Sequence, residues 1–231
     1  MKIAIAQLNY HIGNFEGNLQ KMLATVAAAK SKEADIVCFA ELATVGYPPR
    51  DFLEFDDFIQ KAEQTVAQLA TAAQDIAIVV GSVDRNESGE GKPLHNAAYF
   101  LADSEVQFIQ HKALLPTYDI FDEYRYFEPA RSFGLVTYKG KKIALTICED
   151  IWNLGNENPL YTICPMDEMM PHQPDFMINI SASPFDYSQS MERIRIAKAN
   201  VDVTNCLSFI SINVAHKQKS FLMVVRSCCR L

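Results

Sequence analysis

The stretch I-A-L-T-I-C-E-D at residues 143–150 decides how this chain reads. It is a short, nearly continuous apolar run that stops at Cys148, Glu149 and Asp150. That is the pattern of a buried strand carrying a polar group to its end. Two other stretches repeat it. D-I-V-C-F-A-E at 35–41 ends in Glu41, and V-Q-F-I-Q-H-K at 106–112 ends in Lys112. In layered α/β folds, sites are built at strand ends and in the loops that follow them. Each residue alone also has a plain explanation: a solvated turn acid, a solvated lysine, a packed core thiol. Their distance in sequence means that spacing alone does not join them.

Outward from these runs, strands and helices alternate. Residues 2–8 read as a strand, and Asn14 or Asn18 caps a helix running to about residue 32. A strand at 35–40 precedes a loop punctuated by Gly46, Pro48 and Pro49. A helix follows over 56–75, then a strand over 76–82 and a polar turn over 84–93. Residues 97–101 and 106–111 form a hairpin, and 112–131 a loop. A second hairpin joins 133–138 to 142–148 through Lys139-Gly140. A helix follows Cys148. Residues 159–174, bounded by prolines and holding Met169-Met170, read as a loop insertion. Strand 176–181, helix 190–204 and strand 207–214 complete the pattern. Uniformly apolar strands alternating with helices predict an α/β sheet covered on both faces.

Composition narrows the class. The 231 residues carry 21 Lys and Arg against 28 Asp and Glu, a formal charge of −7, with 49% hydrophobic and 21% charged residues. This suits a single soluble domain with a substantial core. The acidic balance argues against nucleic-acid or anionic-membrane partners. No apolar run approaches the roughly 20 residues of a membrane helix. The N-terminus opens directly as a strand, with no leader pattern. Cys38, Cys148, Cys164, Cys206, Cys228 and Cys229 contain no C-x-x-C pair, so neither a zinc site nor a disulfide framework is expected. A cytoplasmic location with reduced thiols follows as the expectation.

Three segments raise the strand-end residues above their plain explanations. They are F-A-E-L-A-T-V-G-Y-P-P-R at 39–50, H-K-A-L-L-P-T-Y-D-I-F-D-E-Y-R-Y-F at 111–127 and I-C-E-D-I-W at 147–152. Together they resemble the nitrilase superfamily of carbon–nitrogen hydrolases. The Y-P-P-R-D and C-E-D-I-W segments, with N-I-S-A-S-P-F at 179–185, most resemble the N-terminal glutaminase domain of glutamine-dependent NAD synthetases. The resemblance implies an α-β-β-α sandwich and hydrolysis of L-glutamine to glutamate and ammonia, with no metal or organic cofactor. Matched position by position, Glu41 is the general base, Lys112 the catalytic lysine and Cys148 the nucleophile. Glu123 is a further acid orienting Lys112. Tyr118 lines the glutamine pocket, while Glu149, Ser181, Ser183 and Arg193 contact the α-amino and α-carboxylate groups. The residue types suit the chemistry, since a thiol needs a base and an oxyanion needs a cation or N–H donor, here Lys112 and the Glu149 backbone. The family also implies a homo-oligomer.

The chain departs from that family in two ways. The S-G-G-x-D-S type pyrophosphate loop of the synthetase domain, which uses ATP and Mg²⁺, is absent, so NAD synthesis is not expected of this chain. The expected domain is 1–214, followed by an aberrant tail at 215–231 and an incomplete sandwich. One permitted set of codons for 219–229, read one base out of register, encodes I-I-F-D-G-G-S-L-V-L, the ending expected of the family. A frameshift near residue 215 is therefore expected. It would leave a sheet edge unpaired and make the chain prone to aggregate. Two rival readings remain: a stand-alone amidase or carbamoylase, and an inactive fragment with an assembly role. Rereading the coding DNA should reveal a missing or extra base near codon 215, and an intact frame there overturns the frameshift.

Overall fold

The computed structural model describes all residues except 119–120, 157–158, 183–186, 205, 213–222 and 226–231; side chains of 187–191, 193, 212 and 223–225 also lie outside the described set. The N-terminal half runs β1 (Ile3–Ile5), α1 (Phe15–Ser31), β2 (Ile36–Cys38), α2 (Asp56–Ala72), β3 (Ala77–Arg85), β4 (Leu94–Ala102) and β5 (Glu105–His111). The C-terminal half runs α3 (Glu123–Tyr126), β6 (Leu135–Tyr138), β7 (Lys141–Ile147), α4 (Pro165–Met169), β8 (Phe176–Ser181), α5 (Tyr187–Thr204), β9 (Leu207–Ile212) and β10 (Met223–Val225). Each half makes one five-stranded sheet, in the orders β1-β2-β3-β4-β5 and β10-β9-β8-β7-β6. β1, β2 and β3 are parallel, as are β7, β8 and β9, while the remaining pairs are antiparallel.

The period-2 alternation of the strands builds the layers. Ile36, Cys38, Ala77, Val79, Ala98 and Phe100 of the first sheet share one core with Ile143, Leu145, Ile147, Phe176, Ile178 and Ile180 of the second. The intervening residues face outward. Val37, Ile78, Val80, Tyr99 and Leu101 pack under Met22 and Val26 of α1 and Val66 and Leu69 of α2. On the other side, Ala144 and Met177 meet Met166 and Met169 of α4 and Ala197 and Val201 of α5. Helices therefore cover both outer faces of two packed sheets: the four-layer α-β-β-α sandwich.

Several boundaries differ from the sequence expectation. Asn14, not Asn18, caps α1, its side chain accepting from the Gly17 N–H at 3.1 Å. Asn18 is buried instead, bonded to both backbone groups of His11. β3 extends to Arg85 and β4 starts at Leu94, so the connecting turn is shorter than expected. Polar residues continue this hairpin because Asp84 and His95 still pair across it. The stretch at 159–174 is not simply a loop insertion. Pro165 opens the short helix α4, whose methionines fill the outer layer. The proposed tail lies outside the described residues except for β10, which pairs antiparallel with Phe209 and its neighbours on β9, so that edge is covered there.

Gly81 of β3 holds the turn that carries Glu41. Its N–H donates to the Ala40 carbonyl at 3.1 Å, and its carbonyl accepts from the Thr44 N–H at 3.3 Å. A methyl group at Gly81 would stand 2.3 Å from the Leu42 nitrogen and 2.6 Å from both the Ala40 oxygen and the Glu41 Cα. These are backbone atoms, which cannot step aside as a flexible side chain can. Gly81→Ala should therefore displace the Glu41 turn and lower stability by about 1–3 kcal/mol in urea melts. An unchanged midpoint would show that the turn yields freely.

Candidate active site

Lys112 follows β5 directly and has no exposed surface. Its Nζ lies 2.7 Å from Glu41 Oε1 and 2.7 Å from Glu123 Oε2. Glu41, three residues beyond β2, is 1% exposed. Its other oxygen accepts from the Ala182 N–H at 2.9 Å, which ties the first sheet to the end of β8. Glu123 opens α3, and its Oε1 accepts from Tyr47 Oη at 2.8 Å. Burial opposes the charge on Lys112, yet the carboxylates of Glu123 and Glu41 outweigh it and raise its pKa well above the ordinary value. Burial pushes the Glu123 carboxyl up to about 7, with Lys112 opposing and Glu41 adding to the rise.

Cys148 comes from the second sheet. It follows β7 and opens a 3₁₀ turn over Cys148–Ile151. Its φ of 45° lies in the left-handed region that non-glycine residues seldom adopt. The turn presents the thiol to Ser181 at the end of β8, whose Oγ lies 3.2 Å from Sγ. The next residue, Ala182, holds Glu41. The Ser181-Ala182 pair thus links Cys148 to the buried carboxylate. Burial, reinforced by the Glu41 charge, pushes the thiol up to about 12 against the opposing pull of Lys112. At rest the group is a neutral thiol.

Asp150 secures the two strand ends to each other. Its Oδ1 accepts from the backbone N–H groups of Ala113 at 3.0 Å and Leu114 at 2.9 Å, just after Lys112. Its Oδ2 accepts from the Ile147 N–H at 2.9 Å, just before Cys148. Glu149, also buried, accepts from Tyr118 Oη at 2.9 Å and Tyr161 Oη at 3.0 Å. Burial raises its pKa.

The structure therefore brings Glu41, Lys112, Glu123, Cys148 and Ser181 together, with Glu149 and Tyr118 alongside. Ser181 faces the thiol. Ser183 lies outside the described residues. Arg193 falls on α5, and its side chain lies outside them. Tyr47, Asn96, Asp150 and Tyr161 were missed. Asn96 carried a readable signal, a polar residue inside the apolar run of β4, but the strand was expected to begin one residue after it. Among the described residues no group of three His, Cys, Asp or Glu side chains is placed to hold a metal ion.

A carbon–nitrogen hydrolase family pattern matches residues 2–156. The chain is 37% identical over 191 residues to the glutamine-dependent NAD(+) synthetase of Synechocystis sp., covering 79% of this chain and 34% of that protein. It is 32% identical over 194 residues to the same enzyme of Acinetobacter baylyi, covering 84% and 34%. It thus spans about a third (34%) of the length of these curated relatives. The solved glutamine-dependent NAD+ synthetase of Acinetobacter baumannii superposes with a TM-score of 0.83 at 28% identity, over 96% of this chain and 39% of that one. An amidase from Nesterenkonia sp. shares the fold, with a TM-score of 0.76 at 19% identity over 92% and 76%.

Asp150 has a pH signature. Burial pushes its carboxyl up to about 6, against three backbone N–H donors and Lys112 that pull it down. The folded state therefore binds this proton more tightly than the unfolded chain, whose aspartates titrate near 4. Its contribution to stability falls as pH rises from about 4 through 6. Asp150→Asn keeps one acceptor oxygen and leaves buried N–H groups unpaired, so it should cost about 2–3 kcal/mol. Denaturant melts at pH 5 and pH 8 should show the variant's deficit narrowing at the higher pH.

Proposed function

The chain belongs to the carbon–nitrogen hydrolase family, and from that premise we propose that it hydrolyses the side-chain amide of L-glutamine to glutamate and ammonia. The observation that carries this reading is the buried Lys112 ammonium, held 2.7 Å from Glu41 beside a neutral Cys148 thiol. The Cys148 sulfur attacks the amide carbon while Glu41 takes the thiol proton. Lys112 stabilises the oxyanion that forms. Glu41 then delivers the proton to the amide nitrogen, the C–N bond breaks and ammonia leaves, with the acyl group on sulfur as a thioester. Water attacks that thioester, its proton passing to Glu41, and the thiol leaves reprotonated with glutamate as product.

Glutamine is preferred as substrate because the chain's 37% identity is to a glutamine-dependent NAD(+) synthetase. Glu149 supplies a carboxylate for the substrate ammonium, with Tyr118 and Tyr161 fixing its position. Ser183 and Arg193 are assigned to the α-amino and α-carboxylate end on sequence grounds alone. The cleavage uses only the chain's own side chains and no cofactor. The ammonia is supplied to an ATP- and Mg²⁺-dependent synthetase domain that amidates nicotinic acid adenine dinucleotide, and the domain works within a homo-oligomer. A cytoplasmic setting accords with Cys38, Cys148, Cys164 and Cys206 being free thiols and, among the described residues, no helix long and apolar enough to cross a membrane.

Glutamate release from L-glutamine by the purified chain should be lost in Cys148→Ala and reduced about 10²–10⁴-fold in Glu41→Gln. Release that survives Cys148→Ala would overturn the mechanism. Hydrolysis of simple amides without glutamine turnover would favour a general amidase, and a folded chain inactive on every amide would favour an assembly role.

A further inference from the structure

Asn96 lies on β4, opposite Val83 of β3, and has no exposed surface. Its Nδ2 donates to Glu41 Oε1 at 2.9 Å and reaches Glu123 Oε2 at 3.4 Å. Those are the same two oxygens that Lys112 contacts. The amide orientation follows from this: the opposite one would set its oxygen against two carboxylates. The cost of that orientation is visible, since Asn96 Oδ1 is buried with no hydrogen-bond partner among the described residues.

We propose that Asn96 is a positioning residue for amide cleavage, its neutral amide bridging the Glu41 and Glu123 oxygens that share Lys112 and opposing proton uptake by that pair. This inference rests on the reading of Glu41 as general base. Two carboxylates that share one ammonium repel each other, and proton uptake by the pair would disarm the base. A second cation would remove the repulsion but would also weaken Glu41 as a base. An amide donor supplies two N–H groups without a charge. The other groups facing this pair are Lys112 after β5, Tyr47 in the loop after β2, and Cys148 and Glu149 after β7. Of these, Lys112 and Tyr47 also donate to the pair, so Asn96 acts with them.

The test is the acid limb of two pH profiles, for wild type, Asn96→Ala and Asn96→Ser. One profile is kcat/KM for glutamine hydrolysis. The other is the rate of Cys148 alkylation by iodoacetamide, followed by mass spectrometry of the Cys148 peptide. Glu41→Gln should abolish the alkylation limb and so assign it. Both Asn96 variants should shift the acid limb upward by about one pH unit, a roughly tenfold loss of rate on that limb. A limb that stays in place while only the melting temperature falls would overturn the proposal and leave Asn96 structural. Failure of both variants to fold counts against it in the same way. If wild type does not hydrolyse glutamine, the functional reading fails, and the alkylation profile still decides the role of Asn96.

Discussion

The ammonium of Lys112 is buried completely, with one carboxylate oxygen 2.7 Å away on either side. Removing three charges from water costs several kcal/mol for each ion, and only close pairing with full hydrogen bonding offsets that. The fold can be understood from this demand. Glu41 lies on the connection after β2, Lys112 directly follows β5 and Glu123 opens α3, and all three must arrive together. Each carboxylate then needs further donors, which Ala182, Tyr47 and Asn96 provide. Loss of Lys112 leaves two carboxylates buried with no cation between them, so the ammonium is the member on which the cluster depends.

The two sheets divide the work. The first delivers the charged cluster and the second delivers the thiol, so the site is intact only when the sheets are in register. Three links fix that register near the site. The inter-sheet core places Cys38 and Val79 against Ile147 and Ile180. Ala182 donates to Glu41 across the gap. Asp150 joins the backbone after Lys112 to the backbone before Cys148. The left-handed φ of Cys148 costs on the order of 1–2 kcal/mol. The Asp150 bonds on either side of the turn offset that strain, and the thiol is aimed inward as a result.

Much of this was legible in the sequence, and what was missed has physical reasons. Apolar runs ending in Glu41 and Cys148 placed β2 and β7, because strands buried on both faces leave little choice of residue; β5, which ends before Lys112, is largely exposed or half-buried and was legible as one arm of a hairpin instead. The first helix, Phe15–Ser31, was legible from its Asn cap and its Ala, Leu and Met content, and the second, expected over 56–75, ends at Ala72. The hairpin of β3 and β4 was cut short because its outer pairs are polar. That error hid Asn96, a residue whose environment comes from strands distant in sequence. Tyr47 and Tyr161 were invisible for the same reason: a tyrosine in a loop carries no mark of the carboxylate it will meet. The segment containing α4 looked like a plain insertion because five residues are too few for helical periodicity to register.

The state of the thiol has a consequence for selectivity. Burial and the Glu41 charge keep Cys148 protonated at neutral pH, with a pKa of about 12. A thiolate held ready would react with any small electrophile that reached it. Under the proposed mechanism the sulfur becomes nucleophilic only as its proton moves, and Glu41 accepts that proton only as a carboxylate. In the proposed reaction both conditions are met when a substrate carbonyl lies against Lys112, because the oxyanion then forming offsets the positive charge that Glu41 gives up balancing. Proton transfer and carbon–sulfur bond formation are thereby coupled by electrostatics. In the proposed reaction the same buried cluster that demands the sandwich holds the sulfur as a thiol until its proton can move to Glu41.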